Sequence, residues 1–287
     1  VYRIETTAYP YLPAGDKQAV AARLVRFAHV VAADFSIWRV QRTYPSERYV
    51  TDLEAAVDER HTDPDSWRRF LQDHQDRLSA SPSHLPEVYL AVTLTAQGES
   101  VLGQGVISSF DRARRRLEQL FRVDQPRPIS GKDLAKLAET ERRTFDRLGG
   151  VLGLRRAKTS EIEWLLRRGA TRGVTEPELD GNWQPDALVV ETPDGSTTYE
   201  PLEHDLIRCA NEPMTEDPAE PASLVVESEQ GTSYQAFTSL GTLAAEAVFP
   251  SEQAELLFAP AEAVGFPVDA VIHARWIGNR DALAQVR

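Results

Sequence analysis

The segment that most constrains the fold of this chain is Pro86–Ala96, PEVYLAVTLTA. Val88, Leu90, Val92 and Leu94 alternate there with Tyr89, Ala91, Thr93 and Thr95, the period of a β-strand, and the run reads as the central strand of a sheet. The flanking sequence supplies partners. VYRIETTAY at the start and DFSIWRV at 34–40 read as further strands. Between them Asp16 opens a helical stripe of Ala19, Val20, Leu24, Phe27, Ala28 and Val31, giving a β-α-β beginning. Two more helices are expected before the central strand. One opens at Ser46 with Tyr49, Val50, Leu53 and Val57 on a face; the other opens at Asp63-Pro64 with Trp67, Phe70, Leu71 and Leu78. Both are expected to pack on the sheet.

The central strand runs into a glycine-rich stretch, QGESVLGQGVISS at 97–109. Strand, glycine loop and helix invite comparison with a phosphate-binding loop, in which backbone amides cradle phosphates, a Lys reaches the terminal oxygens and a hydroxyl holds magnesium. Gly98 and Gly103 keep the spacing, but Gln104 and Gly105 stand where Lys and Ser/Thr are needed, so the stretch reads as a flexible connection. The helix expected after it carries Phe110, Ala113, Leu117, Leu120 and Phe121 on its apolar stripe, with Arg112, Arg115, Arg116 and Arg122 mostly elsewhere. SGKDL at 130–134 follows proline-rich sequence rather than a strand, and caps a helix with Leu134, Leu137, Ala138, Phe145 and Leu148 as its stripe.

GLRRAKTSEIEWLLRRGATRG, Gly153–Gly173, concentrates arginine around a Trp-Leu-Leu core. Ser160 and Glu163 have capping-box spacing, so a helix beginning near Glu161 is expected to bury Ile162, Leu165 and Leu166 and to end near Gly169 or Gly173. Arginines in its last turns complement the helix dipole. The bland reading is a solvated face. The functional reading makes Trp164 a solvent-reachable anchor with Arg167 and Arg168 as rim charges of a docking surface.

Charge divides the chain. Residues 1–174 carry 28 Lys/Arg against 23 Asp/Glu, and residues 175–287 carry 4 against 21, for a net charge of −12. The acidic part repels phosphate backbones, so nucleic acid is expected to meet only the first part. TEPELDGNWQPDA, from Thr175, reads as a linker, and after it come short strands: ALVVET, SLVVESE, SYQAFTSL and finally PVDAVIHARWI. The expectation is an α+β fold. A mixed sheet with packed helices occupies a lobe at 1–174, and 175–287 forms an acidic, strand-rich lobe. RDALAQVR, after a cap at Asn279, reads as the start of a helix that continues beyond Arg287.

Catalytic and metal-binding patterns are weak. His61, Asp63 and Asp65 have the right chemistry for a metal, but Asp63 before Pro64 is also what a helix start requires. Glu203, His204 and Asp205 lie near Cys209, the single cysteine, a spacing that coincidence explains. His273 reads as a packed or edge histidine. A serine-nucleophile elbow, a catalytic carboxylate pair and a dinucleotide fingerprint are all absent from the sequence. One cysteine is consistent with a reducing compartment, no 18-residue apolar run spans a bilayer, and the first residues lack a signal-peptide layout. The chain reads as cytoplasmic and as a piece of something longer.

LRRAKTSEIEWLLRRGATRG, together with FPVDAVIHARWIGNRDALAQVR near the end, resembles the N-terminal region of conjugative-transfer ATPases of type IV secretion systems, particularly the actinobacterial branch. The resemblance implies an assembly and docking domain that is not itself an enzyme. It self-associates, meets inner-membrane channel proteins and sits peripherally on the inner face of the cell membrane. ATP and magnesium belong to a motor expected downstream, so this chain needs no cofactor or metal of its own. The interaction residues singled out are Trp164, Arg167, Arg168, Arg115 and Arg116. The alternative is a stand-alone nucleic-acid-binding protein using the basic residues of 1–174, and the third reading is an enzyme with an unrecognised site in the acidic part.

Overall fold

A central strand with apolar side chains on both faces must be covered twice, and the chain does this by placing helices on either side of one antiparallel sheet. The computed structural model describes residues 1–6, 9–43, 46–56, 63–80, 84–94, 129–184, 187–191, 195–201, 214–216, 223–228, 231–239 and 266–277. The sheet contains β1 (Tyr2–Ile4), β2 (Phe35–Thr43), β3 (His84–Val92), β5 (Leu154–Arg156) and β11 (Ala270–Ala274), in the order β11-β2-β3-β1-β5. As expected, β3 is the middle strand, and Tyr89 and Leu90 are its fully buried residues. β1 and β2 both run antiparallel to β3, so they point the same way with β3 inserted between them. The β-α-β beginning is therefore a split one, the arrangement of ferredoxin-like folds, which by itself says nothing of function. The α+β class holds, and every pair in this sheet is antiparallel.

Helices α1 (Ala14–Val31) and α4 (Gly131–Gly149) cover the first face. Phe27 and Val31 of α1 and Leu148 of α4 meet Tyr2 and Leu90, with Phe35, Ile37, Phe145 and Leu154 packed around them. Ser130 caps α4 as SGKDL predicts, its Oγ accepting the Asp133 amide at 3.1 Å. α1 begins on Pro13, with Asp16 in its first turn rather than at the cap.

α2 (Ser46–Ala56) and α3 (Pro64–Ala80) do not pack on the sheet as expected. β2 and β3 pair out to Thr43 opposite His84, so the connection leaves from the end of this hairpin and its two helices close chiefly on each other. His74 of α3 bridges them, its ring against Tyr49 of α2 and against Phe70 of its own helix. Asp63 serves the α3 start, accepting the Ser66 hydroxyl at 2.6 Å.

Two smaller sheets complete the described structure. One holds β4 (Ile129–Ser130), β7 (Thr197–Pro201) and β6 (Ala187–Glu191); the other holds β8 (Met214–Glu216), β9 (Ser223–Ser228) and β10 (Gly231–Ala236). Sheet membership crosses the division drawn at residue 174. β11 belongs to the first sheet and β4 to a sheet of the acidic half, because backbone pairing follows spatial neighbours and is blind to the charge gradient along the chain. The glycine-rich stretch, the helix expected to carry Arg115 and Arg116, the Glu203–Cys209 group, His61 and the segment from Asn279 lie outside the described residues. Among the described residues, no helix is long and apolar enough to cross a membrane.

Replacing Leu148 by Ala is expected to cost about 2–5 kcal/mol in urea unfolding. Leu24→Ala, on the exposed side of α1, should stay within about 0.5 kcal/mol. Similar losses for the two would remove Leu148 from the core.

Candidate functional site

Alternation along the strands puts a charged row on the second face of the main sheet. Arg155, Arg3, Tyr89, Trp38 and Val271 follow one another across β5, β1, β3, β2 and β11, with Glu87, Val40 and Arg42 in the neighbouring positions. α5 (Thr159–Thr171) covers this face. Its buried residues are Glu161, Glu163, Trp164 and Arg168, whereas Ile162, Leu165 and Leu166 are only half-buried. The expected aliphatic stripe is thus a charged and aromatic one. The physical reason lies opposite, where arginines and a carboxylate require ion-pairing partners rather than methyl groups.

Glu161 is the centre of the pairing. Arg155 grips its carboxylate with two nitrogens, at 2.6 and 2.8 Å, and Arg3 Nη1 donates to it at 2.7 Å. The Lys158 amide also donates to it, at 2.8 Å, so the carboxylate that caps the start of α5 is Glu161 and not Glu163. Burial opposes ionisation of Glu161, but the hydrogen bonds from Arg155, the Lys158 amide and Arg3 outweigh it and hold its pKa at about 2. Arg3 also reaches Glu87 at 2.8 Å, and Glu87 accepts the Tyr89 hydroxyl at 2.6 Å. Burial, then that hydrogen bond, pushes the Tyr89 phenol up.

Trp164, expected at the surface, is 2% exposed. The guanidinium groups of Arg42 and Arg168 lie over its ring at 4.3 and 4.8 Å, and its Nε1 donates to Glu176 at 2.6 Å. Arg42 leans on the ring: among the described residues its Nε and Nη2 find no hydrogen-bond acceptor, and Glu87 lies 3.8 Å away. Arg168 is buried as well, with Nη2 and Nε donating to Asp269 at 2.8 and 3.1 Å. Of the three proposed interaction residues on α5, Arg167 alone is partly exposed, and it pairs with the fully buried Glu163 at 2.8 Å. A solvent-reachable anchor with rim charges is not what these residues form, because α5 turns its Trp and Arg168 toward the sheet.

Residues beyond α5, expected to be a linker, form a strap over it. Glu176 accepts the Thr43 amide as well as the Trp164 indole, and the Asp180 amide donates to Glu163 at 2.9 Å. The outer side of α5 carries the β8–β10 sheet. Ser233 Oγ donates to the Arg172 carbonyl, Gln235 Nε2 to the Gly169 carbonyl at 2.8 Å, and Arg172 Nη1 to Gln235 Oε1 at 2.9 Å. Asp269, just before β11, gathers Arg168, Arg172 and the Gln41 amide on one carboxylate. Sequence reasoning missed Asp269, Glu87 and Glu176, whose partners Arg168, Arg3 and Thr43 lie far away along the chain, although Tyr89 is close to Glu87 and Trp164 is nearer to Glu176. Their one local signal was a carboxylate inside or beside an apolar segment.

An open cleft of about 370 Å³ touches this layer, lined by Arg3, Ile4, Glu5, Thr6, Glu87 and Arg155. Its two arginines are already held by Glu87 and Glu161. No group of three His, Cys, Asp or Glu able to hold a metal occurs among the described residues. His273 is an exposed edge histidine, with Nδ1 2.7 Å from Ser36 Oγ. No family model, curated protein or solved structure matches the chain.

The Glu161 pKa of about 2, against an ordinary 4.5, means that the ionised form stabilises the fold above pH 4.5 and that this contribution is lost as pH falls toward 2. Glu161→Gln should therefore lower stability at neutral pH by about 1–3 kcal/mol and flatten the fall in unfolding free energy across that window. A variant with the parent's pH slope would count against the pairing. Trp164→Ala should cost about 3–5 kcal/mol in chemical denaturation, a loss that an exposed anchor would not produce.

Proposed function

We propose that this chain is a non-catalytic assembly and docking module of the kind implied by its resemblance to the N-terminal region of type IV secretion and conjugation ATPases. In this reading it self-associates and meets inner-membrane channel proteins from the cytoplasmic side, while ATP and magnesium serve a motor elsewhere. One observation supports docking above the other readings. Among the described residues β6 and β11 lie at the ends of their sheets and present aliphatic side chains to solvent, with Leu188 and Val189 of β6 at 52% and 56% exposure and Val271 and Ile272 of β11 at 50% and 51%. Open apolar edges of this kind invite pairing with another chain.

The arginines of the second face are spent internally. Arg3, Arg155, Arg168 and Arg172 each sit against a carboxylate within 2.9 Å, which removes them from any phosphate grip. A nucleic-acid interface would have to rest on basic residues of 1–174 outside that layer, such as the exposed Arg23, Arg26 and Arg69, or on Arg115 and Arg116. The carboxylates of the layer are likewise occupied by arginines and amides, an arrangement that positions α5 rather than moving protons.

The test pairs sedimentation equilibrium with fluorescence anisotropy on a DNA duplex. Expected are concentration-dependent self-association, and DNA binding that is weak and lost between about 50 and 200 mM salt. A monomer that binds DNA tightly at physiological salt, and loses that binding on Arg115→Glu with Arg116→Glu, would replace this reading with the alternative. Incubation with magnesium and ATP should yield no turnover above buffer; turnover that copurifies with the chain would refute the non-catalytic assignment.

A further inference from the structure

Among the described residues, the ion pairs that join residues 1–174 to residues 175–287 converge on one carboxylate, Asp269. Arg168 reaches it with Nη2 and Nε at 2.8 and 3.1 Å, and Arg172 reaches it with Nε at 2.9 Å. The side chains of Arg168 and Asp269 are 6% and 9% exposed, so neither charge can fall back on water if its partner leaves.

Two sets of contacts start from this carboxylate. Toward the main sheet, Asp269 Oδ1 accepts the Gln41 amide at 3.1 Å, and Gln41 Oε1 accepts the Val268 amide at 2.7 Å, which fixes the residues directly before β11. Toward the acidic half, Arg172 carries the contact to β10. Its Nη1 donates to Gln235 Oε1 at 2.9 Å, Gln235 Nε2 donates to the Gly169 carbonyl at 2.8 Å, and Ser233 Oγ donates to the Arg172 carbonyl. Ser233 and Gln235 are buried, and the carbonyls they bind lie at the end of α5, where helical amides run out. The grip of β10 on α5 therefore depends on where Asp269 holds Arg172.

We infer that Asp269 is a latch: the entry to β11, the end of α5 and the β8–β10 sheet open and close around it as one unit, while the β1–β3 part of the main sheet stays closed under α1 and α4. The division follows from what holds each part. The first-face core of Tyr2, Phe27, Val31, Leu90 and Leu148, with the apolar residues packed on it, takes no side chain from α5, β11 or the β8–β10 sheet. The latched unit meets the rest through a layer of buried polar contacts, which local opening can break without dispersing that core. A partner that favours the closed form at either β11 or the β8–β10 sheet then strengthens the other by the same factor. This device does not depend on what docks, or on the docking proposed above.

Asp269→Asn keeps the shape of the side chain and removes its charge. In hydrogen exchange on the full chain, the amides of β10 and β11 should together exchange at least about tenfold faster in this variant, while those of Tyr89 and Leu90 in β3 keep the parent rate. Asp269→Glu, which retains the charge, should recover part of the lost protection at both strands. Reciprocity supplies a second arm: Gln235→Leu, at the far end of the contacts, should speed exchange in β11 as well as in β10. If Asp269→Asn frees β11 and leaves β10 at the parent rate, Asp269 anchors only its own strand and the latch is refuted. Exchange in β3 that quickens by the same factor would make the opening global and remove the separate unit. Unchanged β11 protection in Gln235→Leu would break the coupling between the two strands.

Discussion

A sheet face that carries Arg3, Arg42, Arg155 and Glu87 cannot be covered by an apolar helix without stranding buried charge, and the placement of α5 depends on that constraint. Removing one member of such a set leaves another unpaired in a desolvated site, which costs more than the pairing itself contributes. The layer therefore acts more on position than on net stability. Glu161 sets the start of α5 by capping it while holding Arg3 and Arg155. Arg168 and Arg172 set its end by holding Asp269, and with it the entry to β11.

From that helix the arrangement extends outward on both sides. The strap through Glu176 and Asp180 lies along α5, and the β8–β10 sheet binds its last turns through Ser233 and Gln235. A terminal strand, a helix and part of the acidic half are thus joined through one polar layer. Coupling between β11 and the acidic half, if another chain engages the edge, has a physical route through Asp269, Arg172 and Gln235.

Fold class and the main strands were legible because they rest on local periodicity. β3 alternates over most of its length, and the α4 stripe ends on Leu148, a fully buried residue. The candidate site was far less legible. Arg-Arg pairs around Trp164 look the same in sequence whether they face water or a sheet, since helical spacing tells which residues share a face but not where that face points. The half-buried state of Ile162, Leu165 and Leu166 shows how an aliphatic pattern loses to a sheet that presents charge.

By itself the sequence determined an α+β chain, a central strand read at Pro86–Ala96 and found at His84–Val92, the Ser130 cap, the Asp63 helix start and an acidic second half. All of these depend on residues within a few positions of one another, or on composition. Tertiary structure alone decided that β3 separates β1 from β2, that β11 joins a sheet begun more than two hundred residues earlier, and that Trp164 and Arg168 are interior. These outcomes depend on contacts such as Arg168 to Asp269, 101 residues apart, and Arg3 to Glu161, 158 apart. The free energy of such contacts appears only once the chain has brought them together, so no local pattern encodes them.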